Sequence, residues 1–327
     1  MSKHRLRSVP GIRSLGLGLL SLGLIGTAHA GEVARSWLDR MNTAIEELNY
    51  VGTFVHLHDG RADTLRVAHR YQDEKVSERI VSLDGVAREI IRNEENVRCI
   101  LPDRRVVLLE ESAESSPLVS ALPSYSQKLE AHYRLKVFST DRVADRETQV
   151  IAISPRDDFR YGYVLWLDIE TAMPLRSRLW GEDKQVIEEI LFTQIEYPAS
   201  IPDVAFHATI VTDGYTEVSS SDPAEEIVDG VPWRVGNLPE GFVLTVSTQK
   251  TIADSPNTVS HLVYSDGLAT VSVFVDSAES QSDVAEGFST VGSTNAYSLT
   301  SNARRITAIG EVPRRTVESI ATSLQER

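Results

Sequence analysis

Apolar residues follow a helical period near the start of the chain and then change to the alternating period of β-strands. Over residues 32–48 they recur every three or four positions, which predicts an amphipathic helix with a single apolar stripe. From Tyr50 to residue 110, apolar and polar residues alternate in six short runs separated by turn-forming segments. Connections this short join antiparallel neighbours, so we expect a curved antiparallel sheet or partial barrel.

More strands, and then a second unit, are predicted beyond this meander. A short helix is expected within residues 124–135, and alternating runs resume over residues 147–197. Residues 217–229 combine three consecutive serines, a proline and five acidic residues without a basic one, which indicates a linker. Further strands follow from residue 242, and a closing helix is expected from Pro313.

These patterns predict an α+β protein of two domains. The first domain is expected over residues 31–215 and the second, smaller one over residues 230–327, with residues 216–229 as the linker. The apolar faces of the first sheet leave two alternatives open. They form either a packed core or the lining of an apolar cavity.

The first thirty residues have the order of a secretory signal peptide. A basic start without acidic residues precedes an apolar run from Leu15 to Ile25, and Ala28-His29-Ala30 supplies small residues for cleavage after Ala30. This apolar run extends about 16 Å as a helix, which is too short for a membrane core of about 30 Å. We therefore expect export from the cytoplasm and removal of residues 1–30.

Composition and charge exclude one functional class. The 327 residues include 33 Lys and Arg against 47 Asp and Glu, a net charge of −14, whereas a protein that coats nucleic acid needs a basic surface. Residues 230–327 hold seven basic residues against ten acidic ones, and four of the seven are arginines that form two adjacent pairs.

The single cysteine, Cys99, excludes an internal disulfide and is typical of a buried thiol.

Residue types that support catalysis or metal binding do not form a recognisable motif. His56 and His58 would share one strand face, and His69 lies on the next strand. No further histidine, cysteine or carboxylate follows at the spacing of a known metal-binding motif. The sequence has no nucleophile elbow, zinc-protease motif or phosphate-binding glycine loop, and adjacent acidic residues on a strand would face opposite sides. We therefore predict no enzymatic activity, no metal and no cofactor.

A set of short blocks, in one order across the chain, carries a family resemblance. The blocks are Met41-Asn42, Leu48-Asn49-Tyr50, Asp84-Gly85-Val86-Ala87-Arg88-Glu89, Arg160-Tyr161-Gly162-Tyr163-Val164-Leu165-Trp166-Leu167-Asp168, Met173-Pro174-Leu175-Arg176, Leu238-Pro239-Glu240-Gly241-Phe242, Leu262-Val263-Tyr264-Ser265-Asp266-Gly267-Leu268 and Gly310-Glu311-Val312-Pro313. They resemble the MucB/RseB family, whose members are periplasmic negative regulators of the envelope-stress (sigma-E) sigma factor in Gram-negative bacteria.

The resemblance implies a fold and a function. The N-terminal domain would be a half-barrel similar to the lipoprotein carriers LolA and LppX, with helices over its concave face, and the C-terminal domain a smaller α/β unit. The protein would bind the periplasmic domain of a membrane-spanning anti-sigma factor and protect it from proteolysis. Acyl chains of lipopolysaccharide or lipoprotein would trigger release. The alternative is a periplasmic lipid or lipoprotein carrier, and homo-oligomerisation stays open.

Two sets of residues are candidates for these interactions. The lipid-cavity candidates are Phe54, Leu65, Val67, Tyr71, Tyr163 and Leu165. The candidates for the anti-sigma-factor interface are Tyr264, Ser265, Asp266, Arg304, Arg305, Arg314 and Arg315. The first three of the second set would form a hairpin tip, for which plain turn chemistry at Asp266-Gly267 is the other interpretation. The arginines would meet acidic side chains or phosphates.

Overall fold

The computed structural model describes residues 25–110, 127–181, 184–220, 231–251, 258–277 and 286–326. It shows a large curved sheet in the N-terminal part and a separate antiparallel sheet in the C-terminal part, which confirms the predicted α+β class. The first helix begins at Ile25, so the cleavage point predicted after Ala30 lies within it, and residues 1–24 lie outside the described part. No helix among the described residues combines the length and the apolar character needed to cross a bilayer.

In the N-terminal domain, the described residues form one long helix and twelve strands. They are α1 (Ile25–Glu47), β1 (Tyr50–His58), β2 (Arg61–Gln72), β3 (Lys75–Ser82), β4 (Glu89–Arg92), β5 (Val97–Leu101), β6 (Val106–Glu110), β7 (Tyr133–Val143), β8 (Arg146–Pro155), β9 (Gly162–Asp168), β10 (Pro174–Trp180), β11 (Val186–Glu196) and β12 (Thr216–Ser220). Short 3-10 helices occupy Gln127–Ala131 and Asp203–Phe206. The sheet order is β12-β6-β5-β4-β3-β2-β1-β11-β10-β9-β8-β7.

The core of this domain lies between α1 and one face of the sheet. The stripe predicted for the helix is buried there, with Met41 fully inaccessible and Ile45 almost so. Side chains of β1, β2 and β9 complete the same apolar cluster. All strand pairs are antiparallel except β12 with β6, as expected for a meander with short turns.

Two predictions of local structure were wrong. Residues 133–143 form strand β7, although a helix was expected up to residue 135 and no strand after it. Strand β7 is the edge of the sheet, and most of its middle positions are solvent-exposed, so the alternation of a half-buried strand is missing. Residues 216–220, the start of the predicted linker, form β12 because they pair in parallel with β6; residues 221–230 lie outside the described part.

The described residues of the C-terminal domain form a six-stranded sheet, a separate strand pair and one helix. Its elements are β13 (Trp233–Val235), β14 (Val243–Thr251), β15 (Thr258–Ser265), β16 (Thr270–Ser277), β17 (Gly287–Val291), β18 (Thr294–Ser301), β19 (Arg304–Gly310), α2 (Arg314–Thr322) and β20 (Leu324–Glu326). The order is β14-β15-β16-β19-β18-β17, and β13 pairs with β20 separately. Helix α2 packs Val317 and Ile320 onto one face of the sheet, as its apolar stripe predicts.

Adding a methyl group to Gly310 is expected to destabilise the C-terminal domain. A Cβ atom at this position would lie 2.3 Å from the backbone oxygen of Thr270 on the paired strand β16, so the backbone itself would have to move. We expect Gly310→Ala to lower the free energy of unfolding by about 1–3 kcal/mol, as overpacking does. Urea unfolding followed by circular dichroism measures this loss. Gly31→Ala is the control, because nothing lies within 4 Å of its added Cβ; equal stability of the two variants would contradict the prediction.

Candidate functional site

The two domains meet at a buried ion pair. Arg160 follows β8 in the N-terminal domain and Asp266 follows β15 in the C-terminal domain, and both side chains are completely inaccessible. Arg160 Nη1 lies 3.2 Å from Asp266 Oδ2, and Arg160 Nη2 donates to the backbone oxygen of Glu240 at 2.5 Å. The Tyr133 hydroxyl donates to the same Asp266 oxygen at 3.0 Å. We call Arg160, Asp266 and Tyr133 the interdomain latch.

Aromatic rings and a tight turn hold the latch in place. The guanidinium of Arg160 lies 5.6 Å from the ring centre of Tyr133 and 5.0 Å from that of Phe242, which is cation–π distance. Asp266 also organises its own turn, because Oδ1 accepts the backbone N–H groups of Leu268 (2.8 Å) and Ala269 (2.7 Å). Burial and the negative charge of Asp266 hold the pKa of Tyr133 well above its usual range, so Tyr133 stays a donor.

Further hydrogen bonds cross between the domains on both sides of the latch. Asn295 Nδ2 donates to the Tyr161 hydroxyl of the N-terminal domain at 2.9 Å and, within its own domain, to the backbone oxygen of Val312 at 2.8 Å. The Thr316 hydroxyl at the start of α2 donates to the backbone oxygen of Phe159 at 2.7 Å. These contacts fix the end of the C-terminal sheet against the loop that precedes β9.

A third set of polar contacts lies around the turn between β17 and β18. The carboxylate of Asp59 accepts the backbone N–H of Gly292 at 2.9 and 3.0 Å. The Ser293 hydroxyl donates to Glu311 Oε1 at 2.9 Å, and His56 Nε2 lies 2.5 Å from Glu188 Oε1. Burial acts to raise the pKa of Glu188, but the hydrogen bond and charge of His56 outweigh it and leave that pKa lowered.

A cavity of about 260 Å³ lies beside the latch, with walls from both domains. The N-terminal domain contributes Tyr133, Tyr161 and Tyr163, and the C-terminal domain contributes residues 268–270 and Glu311. A smaller cleft continues from it along β10 and β11, and Tyr163 and Glu311 line both. The interface between the domains is therefore the most developed polar site in the described part of the chain.

The histidines singled out in the sequence do not assemble a metal site. The rings of His56 and His58 lie 4.5 Å apart, but each turns to its own carboxylate, Glu188 and Asp63 respectively. His69 lies among buried side chains of β1–β3 instead, and its ring is 4.8 Å from that of Tyr50. No group of three or more His, Cys, Asp or Glu residues suited to a metal ion occurs among the residues that the structure describes.

The six lipid-cavity candidates share one face of the sheet. The register opposes Phe54 to Leu65, and the alternation of β2 places Val67 and Tyr71 on the same side. Through β11 and β10 the register brings Leu165 and Tyr163 to that side as well. The two aromatic candidates on β2 and β9 are partly accessible, whereas the other four are buried in the core under α1.

The interface candidates are separated in the structure. Tyr264 is buried and its hydroxyl accepts the backbone N–H of Val235 at 3.3 Å, while the Ser265 hydroxyl bonds the backbone of its own turn. Asp266 faces the N-terminal domain rather than solvent. The hairpin is present, but its loop has four residues, 266–269, instead of two. Contact of Asp266 with a partner therefore requires the domains to separate in this region, whereas Tyr264 is buried in the core of its own domain.

The four arginines do not form one cluster. Arg304 and Arg305 begin β19 and Arg314 and Arg315 begin α2, so the length of β19, about 20 Å, separates the pairs. Arg315 Nη1 lies 3.0 Å from Asp158 of the N-terminal domain, and Arg314 lies 4.2 Å from the ring centre of Phe288.

Arg160 and Tyr133, which matter most at the interface, were not among the predicted site residues. Arg160 stood in one of the blocks that carry the family resemblance, but no pattern in the sequence assigned it a role.

Comparison with known proteins assigns both halves of the chain. The family model described as MucB/RseB N-terminal domain matches residues 33–210, and the one described as MucB/RseB C-terminal domain matches residues 228–325. The sigma factor AlgU regulatory protein MucB of Pseudomonas aeruginosa is 33% identical over 317 residues, which cover 94% of this chain and 96% of MucB. The sigma-E factor regulatory protein RseB of Escherichia coli K12 is 26% identical, with 93% and 94% covered.

A solved structure agrees with this assignment. The crystal structure of MucB in complex with MucA(peri) has a TM-score of 0.69 and 32% sequence identity, and it covers 90% of this chain and 99% of the MucB chain. The likeness extends across both domains and is not limited to the sheet of one. Because both family models match and MucB of Pseudomonas aeruginosa is 33% identical, the chain belongs to the MucB/RseB family.

Proposed function

We propose that this protein is a non-catalytic regulator that binds the periplasmic domain of a membrane-spanning anti-sigma factor. By doing so it protects the anti-sigma factor from proteolysis and restrains the envelope-stress sigma factor. The observation that carries the proposal is the structural likeness to MucB in its complex with MucA(peri). This likeness spans both domains of the chain. Relatives that match over nearly the full length are named as regulatory proteins of sigma factors, and none of those names describes an enzyme.

The second domain favours a regulator over a lipid carrier. A carrier needs only the curved sheet, whereas this chain also contains a complete domain with its own core and family match. The buried latch and the polar contacts around it hold that domain in a defined position. We place the protein in the periplasm, because residues 1–30 have the composition of a signal peptide.

We further propose that acyl chains of lipopolysaccharide or lipoprotein release the partner. The apolar side chains on the inner face of the sheet support this, because they form one continuous surface under α1. Phe54, Leu65, Val67 and Leu165 are buried, so acyl chains must displace packed side chains or α1 to reach them. A ligand that prefers the opened form shifts the protein towards it, and with it the affinity for the partner.

A proteolysis experiment tests both parts of the proposal. The mature protein at about ten times its Kd is expected to slow cleavage of the anti-sigma factor's periplasmic domain about tenfold, because only the free fraction is cleaved. Gel densitometry with the purified protease measures the rate, and lipid A is then added to reverse the protection. An unrelated substrate of the same protease is the control for inhibition of the enzyme. Unchanged cleavage would contradict the regulator, and lipid binding without protection would favour the carrier.

A further inference from the structure

Among the described residues, Glu311 is the one carboxylate that lines the cavity between the domains. Asp266 pairs with Arg160, Glu188 bonds His56, and Glu189 in the adjoining cleft bonds both Arg176 Nε and Arg178 Nε at 2.6 and 2.9 Å. Glu311 receives the Ser293 hydroxyl at 2.9 Å, but it forms no ion pair within the described ranges. A carboxylate that lines a cavity without a counter-ion leaves negative charge free to attract a cation.

The charge around Glu311 reinforces this attraction. Partial burial raises the pKa of Glu311 and the charge of Glu188 adds to the rise, whereas the hydrogen bond from Ser293 and the charge of His56 act against it. The pKa of the Tyr163 hydroxyl is also raised, first by burial and then by the charges of Glu311, Glu188 and Asp266. Burial is the largest cause of both shifts, and the negative charges of neighbouring carboxylates add to it, so a bound cation would offset that repulsion.

The other walls suit a cation with an extended apolar stem. Tyr133, Tyr161 and Tyr163 present aromatic rings, which attract lysine and arginine side chains, and Leu268 and Ala269 add apolar surface. The Tyr163 hydroxyl donates to no group and accepts from none in the part of the chain that the structure describes, so it is available as an acceptor. Ligand pockets for small molecules usually exceed about 300 Å³, so a volume of about 260 Å³ suits one long side chain.

We propose that this cavity binds the lysine or arginine side chain of a polypeptide partner, with Glu311 as its counter-ion and the three tyrosines as its walls. The inference rests on the proposed function, which supplies a protein partner in the form of the anti-sigma factor's periplasmic domain. Because the walls belong to both domains, a side chain bound here favours the closed arrangement over any arrangement in which the domains separate. The cavity thereby couples partner binding to the position of the C-terminal domain.

The test compares two matched variants of the full mature chain. Glu311→Gln keeps the acceptor for Ser293 and removes the charge, and it is expected to weaken binding of the anti-sigma factor's periplasmic domain about tenfold. Glu318→Gln removes an exposed charge from α2, away from the cavity lining, and is expected to leave the affinity unchanged. Isothermal titration calorimetry measures both, and thermal unfolding verifies that both variants are folded.

A double-mutant cycle then identifies the bound side chain. Each lysine and arginine of the partner is changed to glutamine, and one of them is expected to lose its effect in the Glu311→Gln background. Equal affinity of Glu311→Gln and Glu318→Gln, with the wild type still binding, would overturn the inference and leave the proposed function intact. Failure of the wild type to bind would instead reject the proposed function.

Agmatine, a free guanidinium compound, serves as a competitor of the anti-sigma factor's periplasmic domain. Full competition at micromolar concentration would overturn the assignment of the cavity to a side chain.

Discussion

Replacing Asp266 by asparagine is expected to lower the free energy of unfolding of the folded chain by about 3 kcal/mol, because the charge of Arg160 would stay buried without its main counter-ion. The substitution keeps an oxygen for the backbone N–H groups of Leu268 and Ala269, so the turn itself is retained. Asp157, whose Oδ1 lies 3.3 Å from Arg160 Nε, is partly exposed and compensates only a fraction of the charge. Urea unfolding followed by tryptophan fluorescence measures the loss, and small-angle X-ray scattering reports whether the radius of gyration rises.

The interdomain pair at the surface is the matched control. Arg315 and Asp158 also connect the two domains, but both side chains are largely exposed to water. Asp158→Asn is therefore expected to cost less than about 1 kcal/mol. A second variant, Arg160→Met with Asp266→Asn, removes the buried charge and is expected to recover part of the lost stability. If Asp266→Asn were as stable as Asp158→Asn, the latch would not hold the domains together.

The amino-acid pattern predicted the parts of the fold that one sequence segment determines by itself. The stripe at Trp37 and Met41 and the alternation from Tyr50 onwards arise because each element buries one face against a core. Strand β7 was not predicted because its exposed edge position leaves no regular alternation of apolar and polar residues. Strand β12 was not predicted because its pairing partner β6 lies more than a hundred residues away along the chain.

The candidate site depends on contacts that no local pattern specifies. Arg160 and Asp266 are 106 residues apart, and each looks like an ordinary loop residue until the domains are placed against each other. Asp266 was predicted as an interface residue, with turn chemistry as the other interpretation. The structure shows the turn, but the role of Asp266 as the counter-ion of Arg160 depends on the docked arrangement of the domains. The paired arginines were taken together because they are few, whereas β19 separates them in space.

Four polar side chains, three of them buried, form a row across the inner face of the N-terminal sheet. The register places Tyr50, His69, Glu78 and Arg92 opposite one another on four consecutive strands. His69 and Glu78 are 1% exposed and Tyr50 is completely buried. Neither ring nitrogen of His69 has a hydrogen-bond partner, and the nearest carboxylate oxygen, of Glu78, lies 3.9 Å away. This row makes the stability of the domain sensitive to pH.

Acid is expected to destabilise the protein through His69. Burial, with a smaller contribution from the charge of Arg92, lowers the pKa of His69 from 6.5 to about 4. The unfolded chain therefore binds a proton below pH 6.5 that the folded chain does not accept until about pH 4. The contribution of neutral, buried His69 to the free energy of unfolding is complete above pH 6.5. It is lost as the pH falls towards 4, and the whole loss is about 3 kcal/mol.

Substitution of two histidines isolates this effect from the titration of the acidic residues. His69→Phe keeps an aromatic ring beside Tyr50 and removes the titrating group, so the difference in unfolding free energy between pH 7 and pH 4.5 should shrink by about 2–3 kcal/mol. His207→Phe is the control, because His207 is exposed and its substitution should leave that difference unchanged. Urea unfolding at the two pH values provides the measurement. An equal pH dependence in both variants would show that His69 is protonated as readily in the folded protein as in the unfolded chain.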